Sequence, residues 1–214
     1  MRAIVKVGRM WALLINASLL WIAPLLSAQN VEHERWPIKT SYHKLTDSPQ
    51  KIKLSTLRSL KTPTLLNNEK QKDYNGKLLP GVFKGFQEGD FVETTGWIHY
   101  ILHETDDDYH IQVSGSSKNG GKCVIVEIPD PVNGKNADTR RHWTAGRAFV
   151  DSLNKGKPAP KGGKKIGPVF VRIRGQLFYD LSHSPNEKRG RGDMPAGTIW
   201  EIHPVWEIQK AKYH

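Results

Sequence analysis

Asp108 and Glu127 are the residues whose types and spacing can do chemistry, with His110 beside them. Asp106-Asp107-Asp108-Tyr109-His110-Ile111-Gln112-Val113 and Cys123-Val124-Ile125-Val126-Glu127-Ile128-Pro129-Asp130 read as two strands of one hairpin, joined by a Gly/Ser/Asn turn. Tyr109, Ile111 and Val113 share one face of the first strand, and Val124, Val126 and Ile128 share one face of the second. A turn centred between Ser117 and Lys118 sets Tyr109 against Val126, Ile111 against Val124 and Asp108 against Glu127. Opposed residues of an antiparallel pair have Cβ atoms roughly 5 Å apart. Two carboxylates that close repel unless a cation, a proton or a basic side chain separates them.

Asp108 and Glu127 can therefore hold a hard divalent cation, with Asp106 and Asp130 as outer ligands. Oxygen donors suit calcium or magnesium first. His110 shares the Asp108 face. On the last strand Glu201 and His203 share a face, about 6.6 Å apart at strand rise, and Asp180 and His183 follow the fourth strand. Together these residues admit a mixed imidazole and carboxylate site, which would take zinc. The loop from Ser182 to Gly197 carries Lys188, Arg189 and Arg191, residues able to bind phosphate with the lysine-rich loop from Lys155 to Lys165, Arg172 and Arg174. Trp97, His99, Tyr100 and Phe178 offer stacking faces.

Five strands must position these groups. They are expected over Phe91–His103, Asp108–Ser114, Lys122–Ile128, Val169–Tyr179 and Ile199–Ile208. A helix near Asp138–Leu153, capped by Asp138 and ended by Gly156, falls between the third and fourth. The order β-β-β-α-β-β is the plan of the OB-fold, a small five-stranded Greek-key barrel. Gly96, read as a bulge, and Gly175 fit the coiling that a barrel needs. Mixed α+β sheets share the element order and are the alternative.

The motifs Asp-x-Asp-Tyr-His, Val-Glu-Ile-Pro-Asp-Pro and Glu-Ile-His-Pro-Val (Glu201 to Val205) resemble a group of exported bacterial proteins of unassigned activity, over most of Phe91 to Ile208. More remotely, the chain resembles the staphylococcal-type nucleases, calcium-dependent phosphodiesterases on an OB-fold. That resemblance implies a metal at Asp108 and Glu127, Lys122 at the position of an arginine, and Asp130 at the position of the general-base glutamate. Lysine lacks the two-pronged contact of arginine with phosphate, and aspartate is one methylene short, so Arg174 is a second residue able to steady phosphate. A shared fold is better supported than shared catalysis.

Residues 1–28 have the layout of a secretory signal peptide: a basic start (Arg2, Lys6, Arg9), an apolar run from Met10 to Leu26, and small residues at Ser27-Ala28. A secreted or periplasmic protein without a transmembrane segment after cleavage is expected. The formal charge of +11 falls by three to +8 when that segment leaves, a basic balance that favours nucleic acid or another polyanion. Cys123 is the one cysteine, so no internal disulfide can form. Residues 29–88, net +5, read as a basic and poorly structured extension, in which Lys51 to Leu60 is either a short element laid on the domain or a flexible arm. The barrel domain is placed at 89–214. Three functions compete: a binding module for an anionic ligand or envelope component, a divalent-metal-dependent phosphodiesterase, and a partner-binding role of the extension alone.

Overall fold

The computed structural model describes residues 35–63, 74–118, 121–183 and 187–213. The expected signal segment lies outside them. The chain is mainly β. A closed barrel of five strands is formed by β2 (Phe91–His103), β3 (Tyr109–Ser114), β4 (Val124–Ile128), β5 (Lys164–Tyr179) and β6 (Trp200–Lys210), preceded by a two-residue β1 (Gln50–Lys51). The sheet order is β1-β2-β3-β4-β6-β5, and pairing of β2 with β5 closes the wall. β4 and β6 pair in parallel and the other barrel pairs are antiparallel. This is an OB-like barrel, as the element order predicts.

Alternation fills the barrel. Ile111 and Val113 of β3, Val124 and Val126 of β4, and Ile202 of β6 point inward and have no or almost no exposure. Helix α3 (Ala137–Leu153) covers one end, with Thr139, Trp143, Gly146 and Val150 as its buried residues, one face at 3.6-residue spacing. Its cap is Asn136 rather than Asp138, because the Asn136 carboxamide oxygen accepts from the Thr139 N–H at 2.8 Å.

Long β2 and β5 must coil to serve two neighbours each. The bulge in β2 falls between Ile98 and Tyr100, not at Gly96. Gly96 is needed for close approach: a Cβ there would stand 2.6 Å from Leu54 and 2.8 Å from the Ser114 carbonyl oxygen. Gly175 does lie at a register shift between β5 and β6. A Cβ there would meet the Pro204 carbonyl oxygen at 2.5 Å and the Val205 Cα at 3.0 Å. Because backbone cannot swing aside, Gly175→Ala should cost at least about 2 kcal/mol, high in the usual range for overpacking. The urea midpoint should fall with an unchanged slope.

Where it is described, the expected extension is folded and not poorly structured. The short helices α1 (Trp36–Lys39) and α2 (Leu54–Leu57) lie in it, and β1 pairs in parallel with the start of β2. Ile52, Leu54, Leu57 and Leu60 join the hydrophobic core. Alternate positions bury Ile52 and Leu54, and a helical turn then carries Leu57 to the same side. Arg35 and Glu88 form a fully buried ion pair, so the packed unit begins far ahead of residue 89. Among the described residues no helix is long and apolar enough to cross a membrane. Cys123 is buried and free, its thiol pushed up to about 11 by burial.

Candidate functional site

The hairpin register differs from the expected one by two residues. His110, not Asp108, stands opposite Glu127, and Ile111 faces Val126. A slip of two preserves the face of every side chain. Asp108, His110 and Glu127 still project to one side, away from the barrel interior, and β6 sets Glu201 and His203 beside them. The β2–β3 loop and the β5–β6 loop overhang this face.

His203 is its centre. The ring has no exposure. Its Nε2 lies 3.2 Å from Asp108 Oδ2 and its Nδ1 lies 2.9 Å from Glu127 Oε2. These oxygens stand off the N–H directions, so the contacts are charge contacts, and both ring nitrogens and both Asp108 oxygens lack a hydrogen-bond partner among the described residues. Burial would lower the pKa of His203, but Asp108, Glu127 and Glu201 raise it well above the ordinary value. His110 Nδ1 meets Glu127 Oε1 at 3.2 Å and Glu104 Oε1 at 2.9 Å. Burial opposes its charge, yet these two carboxylates push it up to about 9. The His110 Nε2 has no partner among the described residues. Glu127, between two imidazoles, is held well below the usual carboxylate range despite its burial.

The β5–β6 loop completes the wall. Arg189 donates to Glu201 and stands 3.0 Å from Asp180. His183 Nδ1 lies 2.5 Å from Asp180 Oδ2. Burial would raise Asp180, but His183 and Arg189 bring it down to about 2. Lys39 reaches in from α1. Burial would lower its pKa, but Glu127, Asp180 and Glu201 raise it above the ordinary ammonium range. Lys39, Glu104, His110, Glu127, Asp180, His183 and Arg189 line a cavity of about 350 Å³ together with Lys188 and Arg191, whereas Asp108, Glu201 and His203 are not among its described lining residues.

Charge balance decides what the buried acids of this cluster require. Asp108, Glu127, Asp180 and Glu201 are each at most 4% exposed. Lys39 and Arg189 are the permanent cations against them. Ionised, the four acids leave a deficit of two positive charges. Protons on His110 and His203 can fill it, and so can one divalent cation. The surplus of negative charge also raises Glu201 and Asp106, in each case with burial as the largest cause. Two trios offer one ligand atom each within 4.8 Å of one another: Glu104, His110 and Glu127, and Asp108, Glu127 and His203. In the first, both carboxylates converge on one nitrogen. In the second they address opposite nitrogens of His203, so the first trio is the better cradle.

Of the residues singled out from the sequence, Asp106, Asp108, His110, Glu127, His183, Lys188, Arg189, Arg191, Glu201 and His203 gather here. Lys122, Asp130 and Arg174 do not. Lys122 is exposed near the β3–β4 turn, its carbonyl accepting from Arg58. Asp130 caps the turn Pro131–Asn133 and lies 3.7 Å from Arg147 of α3. Arg174 pairs with Glu93 and Glu207 on the outer wall. The two-residue register change and the outward face of β5 account for these displacements, so none of the three serves this site. The expected stacking faces are also engaged: Trp97 packs on Phe170 and Tyr213, His99 and Phe178 are buried, and Tyr100 lies against Gly163. Lys39, Glu104 and Glu187 were not foreseen. Glu104 had a signal, being an acid in the same loop as Asp106, whereas nothing local distinguishes Lys39.

No family model matches the chain, and no curated protein matches it. Among solved structures it is similar to asparaginyl-tRNA synthetase of Entamoeba histolytica, at 15% identity over 60% of this chain and 22% of that one, with a TM-score of 0.33. The same enzyme in complex with asparaginyl-adenylate gives 13% identity over 76% and 24%, with a TM-score of 0.35. The chain thus spans about a quarter of the length of the proteins it matches.

Proposed function

We propose that this protein is an exported, divalent-cation-dependent phosphodiesterase, with Glu104, His110 and Glu127 as the cation ligands. The charge deficit of the buried carboxylates carries this reading. The position agrees with it: OB barrels hold ligands on the face of their second and third strands, between the first and fourth interstrand loops. Here those are β3–β4 and the loops carrying Glu104 and Arg189. Fold alone does not choose the chemistry. The imidazole among the ligands favours zinc over calcium or magnesium, and the two carboxylates also suit manganese.

A bound cation would polarise a phosphoryl oxygen and lower the pKa of water. His183, held through Nδ1 by Asp180, presents Nε2 as the group to accept a proton. Lys188 and Arg191 stand where phosphate oxygens would enter. Export is supported by the basic and apolar leader, and the mature N-terminus identified from secreted or periplasmic material tests it.

The site test is thermal. A cation at one hundred times its Kd should stabilise the fold by about 2.7 kcal/mol, a melting shift of roughly 5–10 °C at this size. Glu127→Gln should abolish the shift. Labelled DNA and RNA should then be cleaved with zinc or manganese, and not by the Glu127→Gln or His183→Asn variants. No shift with any divalent ion would refute the cation site. A shift without cleavage would leave the second reading, a binding module for an anionic ligand or envelope component, which the basic residues at the cavity mouth favour.

A further inference from the structure

A second depression lies between the segment running from β1 to α2, the start of β2 and the β3–β4 turn. It is a groove of about 900 Å³. Lys51, Lys53, Arg58 and Lys122 line it, and Glu93 is the one acid among its described lining residues. Glu93 is already neutralised from outside, accepting from Arg174 Nε at 2.6 Å with Arg172 at 3.9 Å. None of the four cations is paired with a carboxylate among the described residues. Like charges gathered around one concavity repel and concentrate anions there.

Thr94 supplies an independent sign. It lines the same groove at 3% exposure, and its hydroxyl finds no hydrogen-bond partner among the described residues. A buried hydroxyl without a partner is costly, and valine would fit a strand at least as well. Ile52 and Leu54 border the groove as well, among the hydroxyl residues Ser55, Thr95, Ser114 and Ser116, so a small apolar patch lies in a polar wall beneath a basic rim. A volume of this size holds a small organic molecule rather than a bare ion.

The geometry points to a binding site for a phosphate ester carrying a flat heteroaromatic ring, the chemistry of a nucleotide. Arg58, Lys53 and Lys122 meet the phosphate, Ile52 and Leu54 meet the ring, and the Thr94 hydroxyl bonds its polar edge. The inference does not rest on the cation site, since it uses none of that site's residues.

Binding to the full chain in EDTA tests it, with AMP, a 5′-phosphorylated oligothymidylate and inorganic phosphate as probes. AMP or the oligomer should bind with Kd below about 1 mM, and inorganic phosphate at least about tenfold more weakly. Binding of AMP would identify a free nucleotide as sufficient, and binding of the oligomer alone would identify a strand end. The exposed pair Lys53→Glu and Lys122→Glu, made together, should weaken binding at least about tenfold. Thr94→Val should weaken it about fivefold, the worth of one hydrogen bond, while the melting temperature holds or rises. The inference is overturned if neither organic probe binds, if phosphate binds as well as they do, or if the double charge reversal leaves binding unchanged.

Discussion

Replacing Arg35 by methionine, or Glu88 by glutamine, should cost about 3–5 kcal/mol, the usual penalty for leaving a buried charge without its partner. The melting temperature should fall by roughly 10 °C or more. Both side chains have zero exposure, with Nη1 to Oε1 at 2.6 Å and Nη2 to Oε2 at 2.7 Å. A guanidinium has five donors. Arg35 also places Nη1 on the Tyr179 carbonyl, Nη2 on the Lys77 carbonyl and Nε on the Tyr74 carbonyl, so each is used. Glu88 accepts in addition from the Leu79 and Tyr179 N–H groups. The pair therefore ties the segment ahead of the barrel to the end of β5. Arg35→Lys should fail nearly as badly, since an ammonium cannot reproduce the fork. The paired variant Arg35→Met with Glu88→Leu should recover part of the loss, because it leaves no lone charge. A cost below about 1 kcal/mol for either single change, measured by urea unfolding, would show that the segment does not hold the barrel.

That pair also marks where sequence reading stops. Strands β2 and β5, the helix and the Gly175 register shift are local matters of alternation, spacing and glycine, and they are legible. Ile52, Leu54, Leu57 and Leu60 follow the same rules, but sparse leucines among lysines resemble a solvated arm. Only closure of the barrel creates the surface they cover. Arg35 and Glu88 are separated by 53 residues, and neither carries a local sign of burial.

The site divides along the same line. A period of two fixes the face on which Asp108, His110 and Glu127 project, and it survives the register change because the change is even. Which residue stands directly opposite Glu127 depends on how the turn is built, and there the alternation is silent. Lys122 and Asp130, the residues placed by the nuclease-like pattern, lie away from this site for a related reason. Lys122 and Asp130 sit at hairpin ends, where two residues of slip move a side chain by about two strand rises, roughly 7 Å.

The buried charges make a second large prediction, for the protein held in EDTA. Stability should fall by about 3 kcal/mol as pH rises from 6.5 to above 9. His110 has an ordinary pKa of 6.5 and a folded value of about 9. A raised folded value means that the native state binds the proton more tightly than the unfolded chain. The contribution is therefore complete below 6.5 and lost as pH passes through 9. His203, also raised, adds a loss of the same sign at higher pH. Asp180 and Glu127 do not contribute in this window: Asp180 falls to about 2 from 3.8, and Glu127 lies well below 4.5, so their stabilisation is constant above those values and lost only in acid. Glu201 and Asp106 are raised, so any loss they add has the same sign as that of the histidines. His110→Gln separates the two histidines. At pH 6 the variant should be less stable than the natural protein by about 3 kcal/mol, and the two curves should converge above pH 9. Parallel curves from urea midpoints across that range would mean that Glu104 and Glu127 do not hold a proton on His110. The positive charge that the buried carboxylates require would then have to come from elsewhere.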